Sequence, residues 1–483
     1  MSKTVTGIQS WGAYIPRLRI ARATIAHAHA WAFPSLRGKG EKAFCNWDED
    51  VITLAVEAGR DCLGDGISER LQTLTLASTS APFADLQNSA LISSALRLDN
   101  PISCSDVAGS TRAGLTALAN MLSTPVEGHS SLLLASEHRI AKPASAQEMR
   151  YGSGAAALQL GNDDLAAQFL GRHSSTALLV DHFRQNGVKY DYYGEERWIR
   201  DEGVGRLVPA AIGELLSRLR IEPARIAYFG LSGAPSGSDM LVARKLGIAV
   251  EAVSSLLTDQ VGDTGTAHAL LLLAEALENT QPGDVILIAA FGQGCEVVAF
   301  ERRSGGRTPR NGLKASIAKG ILQTSYLKML SFAGEVDLEW GPRAEVDTKA
   351  ALTQQYRSAM QILGFVGGRC RDCGTVQFPS LTTCLKCAAS GTQDPHPIAD
   401  SPARVATYSA DWLQYYPAPP LYIGLVQFDS GARVLMEIVD VTAEGLEVGT
   451  LLDMVFRIKA RDTRRHYDRY FWKASPKAAL ALN

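Results

Sequence analysis

The sequence predicts an α/β protein with a duplicated core, followed by a small metal-binding ribbon and an antiparallel β-barrel. Over residues 5–300, short apolar runs alternate with amphipathic helical runs, which is typical of a largely parallel sheet covered by helices. Two CxxC pairs follow, and residues 400–475 alternate apolar and polar side chains between turns. These observations predict a core, a ribbon and a barrel in that order.

The composition is that of a well-packed globular chain. It has 483 residues, 46 % hydrophobic and 20 % charged, with a net charge of −2, enough for about three domains at ~150 residues each. This charge balance argues against a general nucleic-acid or membrane partner. The first residues, "MSKTVTGIQSWGAYIPRLRI", lack the apolar run of a signal peptide, and no segment has the ~18 apolar residues of a membrane span. We expect a cytoplasmic protein with reduced cysteines.

The elements of the α/β region follow one another as alternating runs. The strand-like runs are short and apolar: 71–79, 130–137, 155–161, 225–233, 284–292 and 296–302. The helix-like runs carry apolar residues at helical spacing: 49–63, 87–98, 111–123 and 264–279.

The α/β region also carries a faint internal repeat. In the first half, "LTLAST" is followed by a helix, "GSTRAGLTALANML" and "GHSSLLLAS". In the second half, "IAYFGLSG" is followed by a helix, "GDTGTAHALLLLAEALE" and "PGDVILIAAFG". Two copies of the same order predict a pseudo-twofold core in which the two small-residue turns face each other; chance similarity between α/β units is the alternative.

A Gly-, Arg- and Pro-rich stretch after residue 303 marks a domain boundary. We predict a core over 1–303, a helical linking segment over 304–366, the ribbon over 367–395 and the barrel over 396–483.

The four ribbon cysteines are the strongest local motif. Cys370, Cys373, Cys384 and Cys387 form CxxC…CxxC with a short spacer, which supplies four thiolates for a closed tetrahedral Zn²⁺ site. A closed site has no open position, so the zinc is expected to be structural. The alternative is a ribbon that has lost its metal.

Several stretches resemble known proteins. "GIQSWGAYIPRLRI", "WDEDVITLAVEAGRDCL", "GSTRAGLTAL", "DHFRQNGVKYD" and "PGDVILIAAFGQG" resemble the hydroxymethylglutaryl-CoA synthase family of the thiolase superfamily. "CRDCGTVQFPSLTTCLKC" and "RYFWKASP" resemble the zinc-ribbon/OB-fold proteins that accompany thiolase-like enzymes. The resemblance implies a thiolase-like duplicated core of five αβαβα layers, fused to a zinc ribbon and an OB-fold barrel, acting on an acyl-CoA thioester.

The catalytic residues of that family are absent at the matching positions. Its cysteine nucleophile falls on Thr111, its glutamate near Ser80 and its histidine near Gly230. We therefore expect an enzyme that makes or breaks a C–C bond on an acyl-CoA without an acyl-cysteine, by aldol or retro-aldol chemistry. Two alternatives stay open: an acyltransferase or condensing synthase using Thr111 or direct transfer, and a non-catalytic scaffold for a thiolase-like partner.

Thr111 is then a nucleophile, a residue that positions substrate, or a helix cap. The start of its helix and the turn "FGQGC" can supply backbone N–H groups to a developing oxyanion. The oxyanion and substrate contacts predicted are Ser80, Gly292, Gln293, Gly294 and Tyr193, and the candidates for proton transfer beside Thr111 are His268, Asp259, Glu148 and Tyr151.

The expected partners follow from the same resemblance. We expect a homodimer that binds an acyl-CoA, with a thiolase-like partner chain possible. The ribbon and barrel are expected to contact the CoA, where arginines of "RIKARDTRRHYDRYFW" pair with its phosphates.

Overall fold

The computed structural model describes residues 5–64, 70–98, 101–124, 128–254, 257–342, 349 and 351–477. Their contacts divide the chain into two compact units. The first contains the described residues of 1–45, 50–89 and 100–329, and the second those of 46–49, 90–99 and 330–483. None of the described helices is both long and apolar enough to cross a membrane.

The elements up to residue 161 begin and end as follows. The strands are β1 (Gly7–Tyr14), β2 (Leu18–Ala21), β3 (Glu41–Ala43), β4 (Leu71–Ala77), β5 (Ser103–Val107), β6 (Ser130–His138) and β7 (Ser153–Gly161). The helices are α1 (Arg22–His29), α2 (Val51–Leu63), α3 (Asn88–Ala95), α4 (Ala113–Ser123) and α5 (Ala146–Arg150).

A second set of elements follows up to residue 332. The strands are β8 (Ala167–Thr176), β9 (His182–Phe183), β10 (Tyr192–Tyr193), β11 (Ile226–Ser232), β12 (Val285–Phe291), β13 (Gly294–Arg302) and β14 (Ile321–Gln323). The helices are α6 (Glu196–Trp198), α7 (Val208–Leu219), α8 (Ser238–Leu246), α9 (Leu257–Gln260), α10 (His268–Asn279), α11 (Gly312–Ala318) and α12 (Tyr326–Phe332). A π-helical segment (Ile199–Leu207) precedes α7, and 3₁₀ turns lie at Pro223–Arg225, Val250–Ala252 and Gly265–Ala267.

The first unit is built on a nine-stranded sheet with the order β11-β12-β13-β8-β1-β7-β6-β4-β5. From β1 outwards, β7 and β6 join by antiparallel pairing and β4 joins by parallel pairing. From β8 outwards, β13 and β12 join by antiparallel pairing and β11 joins by parallel pairing. The two halves meet where β1 pairs with β8. This mirrored order confirms the predicted duplication.

Helices cover both faces of the sheet. Ile286 and Ile288 of β12 pack in a core that contains α4 and α10, whereas Leu287 and Ala289 pack with α7 and α8. On the first half, α2 packs on β1, β6 and β7, and Gly12 of β1 lies so close that a Cβ there would be 2.3 Å from the backbone nitrogen of Cys62. Burial on both faces explains why β12 is a continuous apolar run. The predicted five-layer αβαβα order is confirmed.

The chain after residue 303 does not form one long helix. It contributes the short helix α11 and the strand β14, which pairs parallel with β2 in a three-stranded sheet of order β14-β2-β3. The first unit therefore extends to residue 329.

The second unit holds the ribbon and the barrel. Its elements after residue 350 are α13 (Leu352–Arg357), α14 (Ala359–Ile362), β15 (Val366–Cys370), β16 (Val376–Gln377), β17 (Gln393–Pro397), β18 (Ala403–Asp411), β19 (Leu421–Phe428), β20 (Arg433–Ile438), β21 (Leu451–Asp462) and β22 (Tyr467–Pro476). The ribbon sheet has the order β16-β15-β17, and the last five strands close into a barrel of order β18-β19-β20-β22-β21. The predicted β-barrel is confirmed.

Candidate active site

The predicted nucleophile position lies where the chain turns into α4. The helix begins at Ala113, and its N-cap residue Arg112 makes no side-chain hydrogen bond to it. Thr111 is 6 % exposed, and within the described part of the chain its buried Oγ1 has no hydrogen-bond partner. Thr111 therefore does not cap the helix through its hydroxyl.

The turn between β12 and β13 lies against the start of α4. A Cβ added to Gly292 would be 3.3 Å from Oγ1 of Thr111 and 2.7 Å from Oγ of Ser110, so a side chain at this position would clash. Gln293 has a left-handed φ of +47°, which is uncommon for a residue with a side chain and costs free energy. The turn is thus held in a strained conformation beside Thr111.

Backbone donors at this point suit an oxyanion. The N–H of Gly292 already donates to the carbonyl of Gly294 over 3.1 Å. None of the hydrogen bonds among the described residues uses the N–H of Thr111 or Gln293. Of the predicted oxyanion contacts, the amides of Thr111 and Gln293 are the uncommitted donors.

A buried carboxylate fixes the Gln293 side chain. Asp181 is 2 % exposed; its Oδ1 accepts from Nε2 of Gln293 and its Oδ2 lies 2.6 Å from Nδ1 of His182. The predicted contact Tyr193 pairs with His182 across β9 and β10, with their rings stacked 6.4 Å apart. Its hydroxyl accepts from the Arg150 guanidinium over 2.6 Å.

Tyr151 lies in a separate polar cluster. Its ring is 2 % exposed, its hydroxyl donates to Asp191 over 2.6 Å, and it accepts from Arg139 over 2.6 Å. Burial, only partly offset by the Arg139 guanidinium, raises the pKa of Tyr151 well above its usual value. Both hydrogen-bonding functions of the hydroxyl are thus occupied, and the group stays protonated.

His268 is buried in the turn that leads into α10. Its Nδ1 lies 3.2 Å from Oγ1 of Thr264, and burial lowers the pKa of the imidazole, so the ring is neutral. Burial alone would raise the pKa of Asp263, but the Arg150 guanidinium, 3.1 Å away, and neighbouring positive charges lower it to about 2. These contacts hold His268 and Asp263 in the turn that leads into α10.

Ser80 contacts a carboxylate that the sequence prediction missed. Glu137, 0 % exposed at the end of β6, accepts from the hydroxyls of Ser80, Thr79 (3.0 Å) and Thr266 (2.8 Å). The Ser80 hydroxyl also accepts from the N–H of His138 over 2.9 Å. Ser80 is therefore committed to a network that ties the loop after β4 to the turn before α10.

Glu148 belongs to a third cluster within the first unit. Its Oε1 accepts from the Tyr326 hydroxyl over 2.7 Å, and its Oε2 lies 3.2 Å from Nε2 of His29. Its backbone carbonyl accepts from Nζ of Lys42 over 2.6 Å, and burial, only partly offset by Glu148, lowers the pKa of Lys42 to about 8. No contact among the described residues joins Glu148 to Thr111.

Asp259 lies on the surface. Its residue is exposed, and its backbone carbonyl accepts from Nη1 of Arg22 over 3.1 Å. The Asp259 carboxylate is therefore not part of the Thr111, Tyr151 or Glu148 clusters.

Two buried thiols lie near the core strands and helices. Burial raises the pKa of Cys62 and of Cys295 to about 12, so both thiols remain protonated at neutral pH. Neither provides a thiolate nucleophile in place of the missing cysteine.

The ribbon cysteines converge on one point. The sulfur atoms of Cys370, Cys373, Cys384 and Cys387 all lie within 4.8 Å of one another. The pairs Cys370–Cys387 and Cys373–Cys384 are 3.7 Å and 3.5 Å apart. A tetrahedron with Zn–S bonds of ~2.3 Å has sulfur–sulfur edges of about 3.8 Å. The donor set and its spacing fit a closed structural zinc site.

Three polar residues of this region are not among the candidates predicted from the sequence, although they lie in polar stretches: Glu137, Asp181 and His182. Glu137 follows an apolar strand run, and the acid–histidine pair opens the "DHFRQNGVKYD" stretch. A polar residue directly after a buried strand was the available signal, but only the fold identifies its contacts.

Family descriptions match two parts of the chain. Residues 216–300 match the C-terminal part of 3-oxoacyl-[acyl-carrier-protein] synthase III, and residues 359–392 match the rubredoxin-like zinc ribbon domain of ChsH2. The two matches lie in the second half of the duplicated core and in the ribbon.

The matches to named relatives span most of the length of those relatives. The hydroxymethylglutaryl-CoA synthase of Caldivirga maquilingensis is 31 % identical over 305 residues, 61 % of this chain and 86 % of the relative. That of Pyrobaculum aerophilum is 29 % identical over 349 residues, 68 % of this chain and 98 % of the relative.

Solved structures share the fold. 3-Oxoacyl-[acyl-carrier-protein] synthase III from Aquifex aeolicus superposes with a TM-score of 0.54 at 18 % identity, covering 61 % of this chain and 99 % of that one. MvaS in complex with 3-hydroxy-3-methylglutaryl coenzyme A gives a TM-score of 0.55 at 17 % identity, covering 69 % and 92 %.

Proposed function

The chain belongs to the hydroxymethylglutaryl-CoA synthase family, here fused to a zinc ribbon, and from this premise we propose that it makes or breaks a C–C bond beside an acyl-CoA thioester without forming an acyl-cysteine. It is an enzyme that acts on acyl-CoA. The proposed reaction is of the aldol or retro-aldol type. The observation that carries it is the site at the start of α4, where among the described residues Oγ1 of Thr111 has no hydrogen-bond partner and the amides of Thr111 and Gln293 are uncommitted.

The site favours enolate chemistry over acyl transfer. A threonine hydroxyl needs an adjacent base to attack a thioester, and among the described residues Oγ1 of Thr111 has no hydrogen-bond partner. Two backbone N–H groups suffice to hold a thioester oxygen as it becomes an enolate, an effect of about 3–4 kcal/mol per donor.

The other parts of the chain have supporting roles in this proposal. The zinc supplies no chemistry in a closed four-thiolate site, and Cys370, Cys373, Cys384 and Cys387 would hold it. We expect the acyl-CoA to bind a homodimer, with a thiolase-like partner chain as a further possibility. Arg457, in the arginine-rich strand, is 1 % exposed and ion-paired, so other arginines of that segment are the candidates for CoA phosphates.

Replacing Thr111 by valine separates the proposal from its main alternative. Thr111→Val replaces the hydroxyl by a methyl group of similar size. We expect kcat/KM for cleavage of 3-hydroxyacyl-CoA thioesters to stay within about threefold of wild type, because in this proposal the backbone amides rather than the hydroxyl stabilise the transition state. Removal of an unpaired buried hydroxyl should also raise the free energy of unfolding by about 1 kcal/mol. Intact-protein mass spectrometry of protein incubated with the same thioesters should show no acyl adduct.

A matched control, Thr116, lies within α4, five residues after Thr111. The hydroxyl of Thr116 is hydrogen-bonded to Glu296 over 3.4 Å, so Thr116→Val should lower stability where Thr111→Val does not. An acyl adduct on Thr111, with activity lost by a factor on the order of 10³ or more in the valine variant, would establish the acyltransferase instead.

Tyr151→Phe tests whether this residue transfers protons. Because its hydroxyl bridges buried Arg139 and Asp191, we expect the variant to lose about 1–3 kcal/mol of stability in urea unfolding. The kcat of the folded variant should be unchanged. A fall in kcat of about 100-fold with unchanged stability would instead make Tyr151 an acid or base of the reaction.

A further inference from the structure

An imidazole is linked through Asp181 to the turn that borders Thr111. His182 follows β8 in the loop that carries Asp181, and its side chain is 15 % exposed, whereas the Asp181 side chain is 3 % exposed. Nδ1 of His182 and Oδ2 of Asp181 are 2.6 Å apart. The buried carboxylate thus holds an imidazole whose side chain is still partly exposed to solvent.

The contact with Asp181 determines which nitrogen carries the proton. In the neutral ring, donation of the Nδ1 proton of His182 to the Asp181 carboxylate leaves the lone pair on Nε2. Among the described residues Nε2 makes no hydrogen bond, and the stacked ring of Tyr193 restricts the imidazole from one side. This is the tautomer and the orientation that a general base requires.

The same carboxylate fixes the oxyanion turn. Oδ1 of Asp181 accepts from the Gln293 side chain, and the adjacent Gly292 lies against the Thr111 hydroxyl. The two oxygens of one buried side chain therefore join the imidazole to the turn that offers its amide to the substrate. Asp181 is a positioning residue for both.

We propose that His182, oriented by Asp181, is the general base of this site. The inference rests on the proposed function and adds the group that moves the proton. Of the other titratable candidates, the Tyr151 hydroxyl is hydrogen-bonded to Arg139 and Asp191, and Nδ1 of His268 lies beside Thr264. Glu148 contacts Tyr326 and His29, and Asp259 is exposed on the surface. Two charged groups contact the imidazole or the ring stacked on it. Asp181 lies at Nδ1 of His182, and Arg150 donates to the hydroxyl of Tyr193.

The proposed retro-aldol cleavage requires a single base, which first accepts and then returns one proton. Nε2 of His182 takes the proton from the β-hydroxyl of a 3-hydroxyacyl-CoA as the oxygen forms a C=O bond and the Cα–Cβ bond breaks. The electron pair of that bond passes into the thioester, whose enolate oxygen is held by the amides of Thr111 and Gln293. The imidazolium then returns the proton to Cα, which releases a shorter acyl-CoA and a carbonyl compound, with no other co-reactant.

His182→Asn keeps the hydrogen bond to Asp181, because the asparagine amide can donate from nearly the position of Nδ1, but it removes the base. We expect kcat for cleavage of 3-hydroxy-3-methylglutaryl-CoA and related 3-hydroxyacyl-CoA thioesters to fall by about 10²–10⁴-fold with KM little changed. The limb of the kcat/KM profile that reports protonation of the base should disappear. His173→Asn, an imidazole replaced on β8, should keep wild-type kcat and pH profile.

A second readout distinguishes failure of this inference from failure of the proposed function. Solvent deuterium exchange at Cα of acetyl-CoA requires the base and the oxyanion donors but no bond cleavage. Cleavage by wild type that His182→Asn leaves intact overturns the base and keeps the proposed reaction. If wild type exchanges deuterium into acetyl-CoA but cleaves no thioester, and His182→Asn loses the exchange, His182 remains the base and the proposed cleavage reaction is overturned. If wild type shows neither activity and the ¹⁵N imidazole resonances of His182 do not move on addition of acetyl-CoA, the base is overturned as well.

Discussion

Removal of zinc from the four-cysteine site is expected to unfold the ribbon formed by β15, β16 and β17. β16 has only two residues, Val376–Gln377, so strand pairing alone gives this segment little stability. Metal binding in comparable small sites contributes an apparent ~10–16 kcal/mol to folding, more than any single side-chain contact. Cys384→Ser, or a chelator acting on wild type, should abolish stoichiometric zinc and hydrogen-exchange protection over residues 366–397.

The control is a cysteine outside the cluster. Cys104→Ser changes a partly buried thiol on β5 in the first unit and should keep zinc content and ribbon protection at wild-type values. Cys384→Ser protein that retains one zinc per chain and full protection of the ribbon would contradict a four-thiolate site. Because the zinc supplies no open coordination position, restored metal should restore the fold and activity together.

The zinc ligands could be predicted because their geometry is local. Two CxxC turns and a short spacer bring four sulfur atoms together whatever the rest of the chain does, and the structure places those atoms within 4.8 Å of one another. The duplicated core was predictable for a similar reason, because each apolar strand run followed by a helical run defines one unit of the sheet.

Two of the strands that were not predicted lack an apolar run. β8, "AQFLGRHSST", is mostly half-buried and polar, yet it joins the two halves of the sheet by pairing with β13 and β1. β14 has only three residues, and its extended conformation depends on parallel pairing with the edge of β2. In both, a partner strand rather than the local sequence decides the conformation.

The candidate site was predictable only in part, for a physical reason. Thr111 and the "FGQGC" turn stand out because helix starts and Gly-rich turns are local features. The contact of Glu137 with Thr266 joins residues 129 positions apart, and the link from Asp181 to Gln293 joins residues 112 positions apart. Glu148 and Tyr151, which the sequence placed together, lie in separate hydrogen-bonded clusters because one faces His29 and the other Arg139.

Arg457→Met is expected to destabilise the second unit by about 3–5 kcal/mol. The Arg457 side chain is 1 % exposed and bridges two carboxylates that are equally buried: Glu49, from the segment 46–49, and Asp440, 2.9 Å away. Methionine fills similar volume but leaves both carboxylates without their cation, and the cost of a buried unpaired charge exceeds that of lost packing. Urea unfolding followed by near-UV circular dichroism measures the loss.

The same barrel contains an exposed pair of equal length as a control. Arg404 and Asp429 are also 2.9 Å apart, but their side chains are 52 % and 50 % exposed. Arg404→Met should therefore change stability by no more than about 1 kcal/mol, because solvent screens the pair. Equal losses in the two variants would contradict a role for burial and would assign the effect to the arginine stem alone.

The pH dependence of Arg457→Met identifies the carboxylates as the cause. Burial raises the pKa of Glu49 more than the Arg457 guanidinium lowers it, so the folded state binds a proton here more readily than the unfolded chain does. Stability from this group is therefore present at low pH and lost as pH rises through the folded-state pKa. Without the guanidinium that pKa rises further, so the stability deficit of Arg457→Met relative to wild type should shrink as pH falls from about 7 to about 5. Arg457→Met combined with Glu49→Gln should show a smaller deficit and less of this pH dependence, whereas a deficit that is constant with pH would exclude buried carboxylate charge as its origin.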